Sequence, residues 1–238
     1  MSLAGKNMLV VGGSSGIGLS LVKLLQVQGA NVFVISRSRS EQWAEDVHFL
    51  QADVTEEINL PPDFLPEQLH GLVYAVGSIT LKPFNRLTTV DFLTDFTLNV
   101  LGAARIVQQS LKSLKSANGS SVVLIGSVAA RAGMPFHGSI AAAKGALEAM
   151  ALTMAAEFAS QQIRVNLVAP SLTDTPLAEK LLNSPEKQEG SAKRHPLGRY
   201  GQPEDISSMI AFLLSDQSSW MTGQVIGIDG GLGKLKTM

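Results

Sequence analysis

Val10-Val11-Gly12-Gly13-Ser14-Ser15-Gly16-Ile17-Gly18 is the stretch on which the reading of this chain turns. An apolar run of strand length, Asn7 to Val11, ends in four glycines within seven residues, and an amphipathic segment, Ile17 to Gln28, begins directly after them. A strand feeding a glycine turn that opens a helix directs several backbone N–H groups and the positive end of a helix dipole at one point. Glycine lets the backbone approach a ligand there without Cβ clashes. That geometry suits a pyrophosphate, although a glycine cluster by itself is also compatible with an ordinary strand-to-helix turn.

The same alternation continues along the chain. Asn31 to Ile35, Val47 to Leu50, Gly71 to Val76, Ser121 to Ile125, Ile163 to Val168 and Gln224 to Ile228 are short runs rich in β-branched residues and leucine. Their apolar character is continuous and does not alternate, as expected of strands covered on both faces. Helical spacing of apolar residues marks Thr88 to Lys115, Ser139 to Ser160 and Pro203 to Leu214. Strands alternating with helices give right-handed crossovers and a parallel sheet, so the spacing predicts seven parallel strands with helices on both faces. Two connections are short: Ser36 to Asp46, and Glu56 to His70 with Pro61, Pro62 and Pro66, where prolines keep any helix below about two turns. Thr173 to Gly198, interrupted by Pro176, Pro185 and Pro196, reads as a mobile insertion over a site.

Composition narrows the function. The 238 residues, 45% of them hydrophobic, are enough for one substantial core and are read as a single domain spanning 1–238. A formal net charge of −1 gives no long-range pull toward nucleic acid or an anionic membrane. The absence of cysteine excludes disulfides, thiol nucleophiles and thiolate metal sites, and no metal-ligand set stands out. No signal-peptide pattern opens the chain, and charged residues interrupt its longest apolar helix, so a soluble, cytoplasmic protein is expected.

Further landmarks fall in register with the glycine turn: Asp53-Val54, Asn99, Ser127, Lys144, Asn166 with Ala169-Pro170, and Asp229-Gly230-Gly231. With them the chain resembles the short-chain dehydrogenase/reductase family almost end to end. From His195-Pro196-Leu197-Gly198-Arg199 to Ile206, and from Trp220 to Gly231, it is most similar to the ketoacyl-carrier-protein-reductase branch. The resemblance implies a Rossmann-type doubly wound α/β sheet that binds a nicotinamide dinucleotide and acts on a small carbonyl or alcohol compound. It also implies assembly as a homodimer or homotetramer through the long helices near 88–115 and 139–160.

Residue by residue, the resemblance places the cofactor against Gly12, Ser14, Ser15, Gly16, Ile17 and Gly18, with Asp53 and Val54 at the adenine. Gly77, Lys144, Pro170 and Thr173 fall at the nicotinamide end. Between Asn31 and Ser40 there is no acidic residue, so Ser36 and Arg37, with Arg39, read as a clamp for a 2′-phosphate and favour NADP(H) over NAD(H). Two solvated loop arginines are the plainer alternative.

Of the family's catalytic set, Ser127, Asn99 and Lys144 are present. The family pairs a tyrosine with the lysine four residues on; here the window is Ile140-Ala141-Ala142-Ala143-Lys144. An aliphatic side chain neither donates nor accepts a proton. His137, seven residues before Lys144, is a substitute donor, with Ser139 and Tyr74 as further ones; an exposed loop histidine is the plainer reading of His137. Where the family commonly has Asn-Ala-Gly after the fourth strand, this chain has Ala75-Val76-Gly77. Two functions follow: an NADP-dependent oxidoreductase with an atypical proton donor, or a silent cofactor-binding sensor or partner subunit.

Overall fold

The computed structural model describes residues 2–235. Seven strands, all parallel, form one sheet: β1 (Asn7–Val11), β2 (Asn31–Ser36), β3 (His48–Gln51), β4 (Gly71–Tyr74), β5 (Ser120–Ile125), β6 (Ile163–Pro170) and β7 (Val225–Ile228). Their order, β3-β2-β1-β4-β5-β6-β7, reverses direction between β1 and β4. In open α/β sheets the crevice at such a reversal, at the carboxyl ends of the strands, is where ligands bind.

Alternation along the strands splits the core in two. Leu9 and Val11 of β1 join one apolar cluster, while Met8 and Val10 join the other. Helices α3 (Gly102–Ser116) and α5 (Gly138–Phe158) cover the first face, through Ala103, Ile106, Leu147 and Ala151 together with Val100, and α2 (Thr89–Phe96) packs on α5. The opposite face is covered by α1 (Gly16–Val27) and α8 (Pro203–Leu214), through Leu21, Val22, Leu25, Ile206 and Ile210. Three shorter helices follow the carboxyl ends of strands: α4 (Ala129–Ala132) comes after β5, and α6 (Glu179–Leu182) and α7 (Pro185–Arg194) come after β6.

Two expectations change. The predicted helix from Thr88 to Lys115 is interrupted by a π-helical turn at Thr97–Leu101, which places Asn99 inside the irregularity. Such widened turns recur at functional sites. The stretch from Thr173 to Gly198 is largely helical, with a 3₁₀ turn at Pro176–Ala178 followed by α6 and α7. Its prolines start these elements: Pro185 stands in the first turn of α7 behind Ser184, whose hydroxyl accepts from the Lys187 N–H, a position where a missing N–H costs nothing. Between β2 and β3, and between β3 and β4, the described residues contain no helix. Trp43, 7% exposed, fills part of the layer that a helix would occupy and packs at 5.5 Å on Phe49.

Candidate functional site

The glycine turn lies at the β1/β4 reversal. Gly12 has φ +86°, and a Cβ there would stand 2.9 Å from Val76 and 3.1 Å from the Ala75 backbone. At Gly18 a Cβ would meet the Gly12 carbonyl oxygen at 2.1 Å, so any larger residue would force the turn apart. Ser15 caps α1 without a side-chain hydrogen bond of its own, which leaves its hydroxyl free for a ligand. From the short β2–β3 connection the Trp43 indole N–H donates to the Gly13 carbonyl at 3.0 Å and buttresses the turn from outside. Arg39 lies over the Trp43 ring at 5.9 Å, within cation–π range.

Arg37 is exposed at the end of β2, next to the buried Ser36, whose hydroxyl donates to the Ser38 carbonyl at 2.8 Å. Asp53 folds its own turn: one carboxylate oxygen accepts from the Thr55 N–H (2.9 Å) and hydroxyl (2.7 Å). Those bonds, with the Arg37 charge, hold its carboxyl below the ordinary aspartate range. Val54 is buried beside it. A cradle that only glycine fits, a helix N-terminus without a side-chain cap and a flanking cation fit the phosphates of a dinucleotide.

Next to this cradle is a cavity of about 260 Å³, bordered by Ser127, Lys144, His137, Ile140, Thr173 and His195 among others. Ile17, Gly77 and Pro170 also border it, so turn and cavity are continuous. Ser127 ends the segment after β5; its oxygen accepts from the Ala129 N–H at 3.1 Å, which leaves the hydroxyl proton free to donate. Lys144 is buried on α5 and donates to the Ile125 carbonyl at 2.7 Å. Burial brings its pKa down to about 8, against an opposing pull from Asp95. Asn99 is fully buried; its amide donates to the Asp95 carbonyl (2.8 Å) and to the Ser78 hydroxyl (3.2 Å), while its own oxygen has no partner. Thr173 donates to the Ser171 carbonyl at 3.1 Å.

Ile140, 5% exposed, is one turn from Lys144 on the same helix. Of the substitute donors, His137 caps α5 at the cavity wall, with Nδ1 2.7 Å from the Pro135 carbonyl. Because a carbonyl only accepts, that bond commits the Nδ1 proton and leaves Nε2 as the ring atom through which His137 could meet a substrate. Tyr74 is ruled out by position: it is 1% exposed, donates to the Leu98 carbonyl at 2.6 Å, and burial raises its pKa. Ser139 is likewise buried away from solvent, with no partner for its hydroxyl.

Sequence reasoning missed two groups. Asp95, one turn before Asn99, is fully buried beneath the lysine region, bonded by Ser78 (2.7 Å) and Thr80 (2.9 Å). The signal was an acid four residues before a buried asparagine, but on an amphipathic helix an acid normally marks the solvated face. The second is a pair at the far wall: His195 Nε2 lies 2.8 Å from the Ser171 hydroxyl, and Nδ1 2.7 Å from the Ser191 carbonyl. It ties the end of β6 to the end of α7.

Comparison with known proteins agrees with this geometry. A family model described as enoyl-(acyl carrier protein) reductase matches residues 11–233. A 3-oxoacyl-[acyl-carrier-protein] reductase of Thermotoga maritima is 35% identical over 247 residues, covering 98% of this chain and 99% of the relative. A short chain dehydrogenase family protein from Francisella tularensis superposes with a TM-score of 0.87 at 31% identity, over 98% of this chain and 100% of that one. A structure described as ElxO with NADP bound superposes with a TM-score of 0.85 at 26% identity, over 96% and 98% of the two chains. The chain belongs to the short-chain dehydrogenase/reductase family of oxidoreductases. No helix among the described residues is long and apolar enough to cross a membrane.

Proposed function

We propose that this oxidoreductase uses NADP(H) to interconvert a small, largely apolar ketone or β-keto compound and its alcohol, with a proton donor other than the side chain at position 140. The observation that carries the reading is that Ser127 and Lys144 open onto one cavity continuous with the glycine turn. The Gly12–Gly18 backbone and the start of α1 would hold the pyrophosphate, Ser14 and Ser15 assisting. Arg37 and Ser36 would hold a 2′-phosphate, and Asp53 and Val54 the adenine. Gly77, Lys144, Pro170 and Thr173 would border the nicotinamide riboside. Held by these residues, a reduced nicotinamide would supply a hydride for the substrate carbon.

The chain's own residues do the rest. Ser127 gives a hydrogen bond from its free hydroxyl to the substrate oxygen and fixes its direction. Ile140, Met134, Leu177 and Leu181 line the cavity with apolar surface, exclude water and accept an apolar substituent. Ser127 and Lys144 together favour an oxygen at the reacting carbon, so a carbonyl suits the site better than an isolated C=C bond. On the reading that Ile140 stands at the family's tyrosine position, the cost of that loss is bounded: a positioned acid contributes about 10²- to 10⁴-fold, whereas orientation contributes more. Exposed Val90 and Leu93 on α2 and Leu152 on α5 present apolar faces to a second copy of the chain.

The test is NADPH consumption with a panel of ketones, β-keto esters and 3-oxoacyl thioesters, with the alcohol identified by mass. Alcohol formed stoichiometrically with NADPH oxidised is the expected outcome. Tight NADPH binding with no product across the panel would favour the sensor or partner-subunit reading.

A further inference from the structure

With isoleucine at position 140, the oxygen of a reduced carbonyl must take its proton from another group. Lys144 spends one ammonium hydrogen on the Ile125 carbonyl and keeps two. The Gly77 backbone is the floor of the space around it: a Cβ at Gly77 would stand 3.5 Å from Lys144 Nζ and 3.6 Å from the Asn99 side-chain oxygen. Lysine ammonium and partnerless amide oxygen therefore border one small space that the absence of a side chain keeps open.

Behind it stands a carboxylate that the cofactor reading does not use. Both Ser78 and Thr80 donate to Oδ1 of the fully buried Asp95, while its Oδ2, also buried, has no partner. Ser78 in turn accepts from the Asn99 amide, so the bonds run continuously from Asn99 to Asp95. A buried carboxylate is costly unless a nearby cation offsets it. The acid whose charge acts on Lys144 is Asp95.

We propose that Lys144 is the proton donor of this site, and that Asp95, bonded through Ser78 to the Asn99 amide that borders the same space as the lysine, is a positioning residue for it. This rests on the oxidoreductase reading. As the carbonyl carbon takes up hydride, one Nζ–H bond of Lys144 breaks and an O–H bond forms on the substrate, directly or across one water. The electron pair stays on nitrogen, and solvent returns a proton to the neutral amine. Burial alone makes the lysine a stronger acid, and Asp95 limits the shift so that the ammonium is still populated near neutrality. An acid titrating at about 8 is better matched to that task than an ordinary lysine. The other charged or titratable groups nearby are His137, His195 and Arg194 at the cavity wall, and Glu148 on the next turn of α5, which is paired with Arg131 at 2.7 Å.

The experiment joins two readouts on the full chain. One is the pH dependence of kcat/KM for ketone reduction. The other, independent of turnover, is the pH titration of ¹³Cε-labelled lysines by NMR, with the Lys144 signal assigned by its loss in Lys144→Met. The parent should lose activity as pH rises through the Lys144 titration. Asp95→Asn should move both the resonance and the descending limb to lower pH by about one unit, the low end of the effect of a nearby opposite charge. Should Asp95→Asn not fold, Ser78→Ala, which removes one bond to the carboxylate, should move resonance and limb together by a smaller amount. A resonance that moves while the limb stays, or a resonance that stays, overturns the proposal. Absence of any turnover in the parent defeats the oxidoreductase reading itself, whereas turnover with an unmoved limb defeats only the roles given to Lys144 and Asp95.

Discussion

Replacing Ile140 with tyrosine should raise ketone reduction, and the structure sets the size of the gain. The side chain is 5% exposed and borders a cavity of about 260 Å³, one helical turn from Lys144. A phenol there extends into open cavity and not into packed core, so the overpacking penalty, about 1–3 kcal/mol in a filled interior, should fall at its low end. The buried ammonium of Lys144 would lower the phenol's pKa, as an opposite charge at close range does. A positioned acid contributes about 10²- to 10⁴-fold, but a resident donor already supplies part of that, so we expect kcat/KM to rise about tenfold, or roughly 1.4 kcal/mol in the barrier. The assay is initial-rate NADPH oxidation with a β-keto ester, alongside the NADPH dissociation constant and the melting temperature of parent and variant. An unchanged or lower rate, with cofactor affinity and melting temperature preserved, would refute the placement of residue 140 beside the reacting oxygen.

Three other outcomes are expected. Arg37→Asp should weaken NADPH by about ten- to a hundredfold, the value of one hydrogen bond to a charged group, and leave NADH unaffected or tighter; fluorescence titration of both cofactors decides it. Tyr74→Phe should lower stability by about 1–3 kcal/mol in chemical denaturation, because the Leu98 carbonyl loses its donor in the core, without moving the pH profile. Light scattering at micromolar concentration should report a dimer or tetramer, and a strict monomer would show that the apolar faces of α2 and α5 are not used in this way.

Most of the scaffold was legible because its signals are local and repeated. Each apolar run between breakers became a strand, with ends shifted by at most two residues, and Gly12 and Gly18 proved to be positions where a Cβ has no room. What escaped depended on burial that only the assembled fold creates. A π turn at Thr97–Leu101 leaves no mark in a helical apolar period, so Asn99 could be placed on a helix but not inside its irregular turn. Asp95 reads as a surface acid until Ser78 and Thr80, from a loop more than a dozen residues earlier, close over it. Prolines in 173–198 read as loop punctuation, yet Pro176 and Pro185 each open a helical turn, where the ring's fixed φ is an advantage. Tyr74 looked available as a donor because a strand end is where catalytic residues often project, but its side chain points into the α3 layer against Gly102.

The most direct test of the central claim follows the hydrogen itself. The protein should be incubated with NADPH carrying deuterium at the transferable position of the nicotinamide, and with whichever ketone is reduced fastest. Mass spectrometry and NMR of the alcohol should then find one deuterium on the carbinol carbon. Alcohol without deuterium on that carbon, or no alcohol from a protein that binds NADPH tightly, would contradict the account.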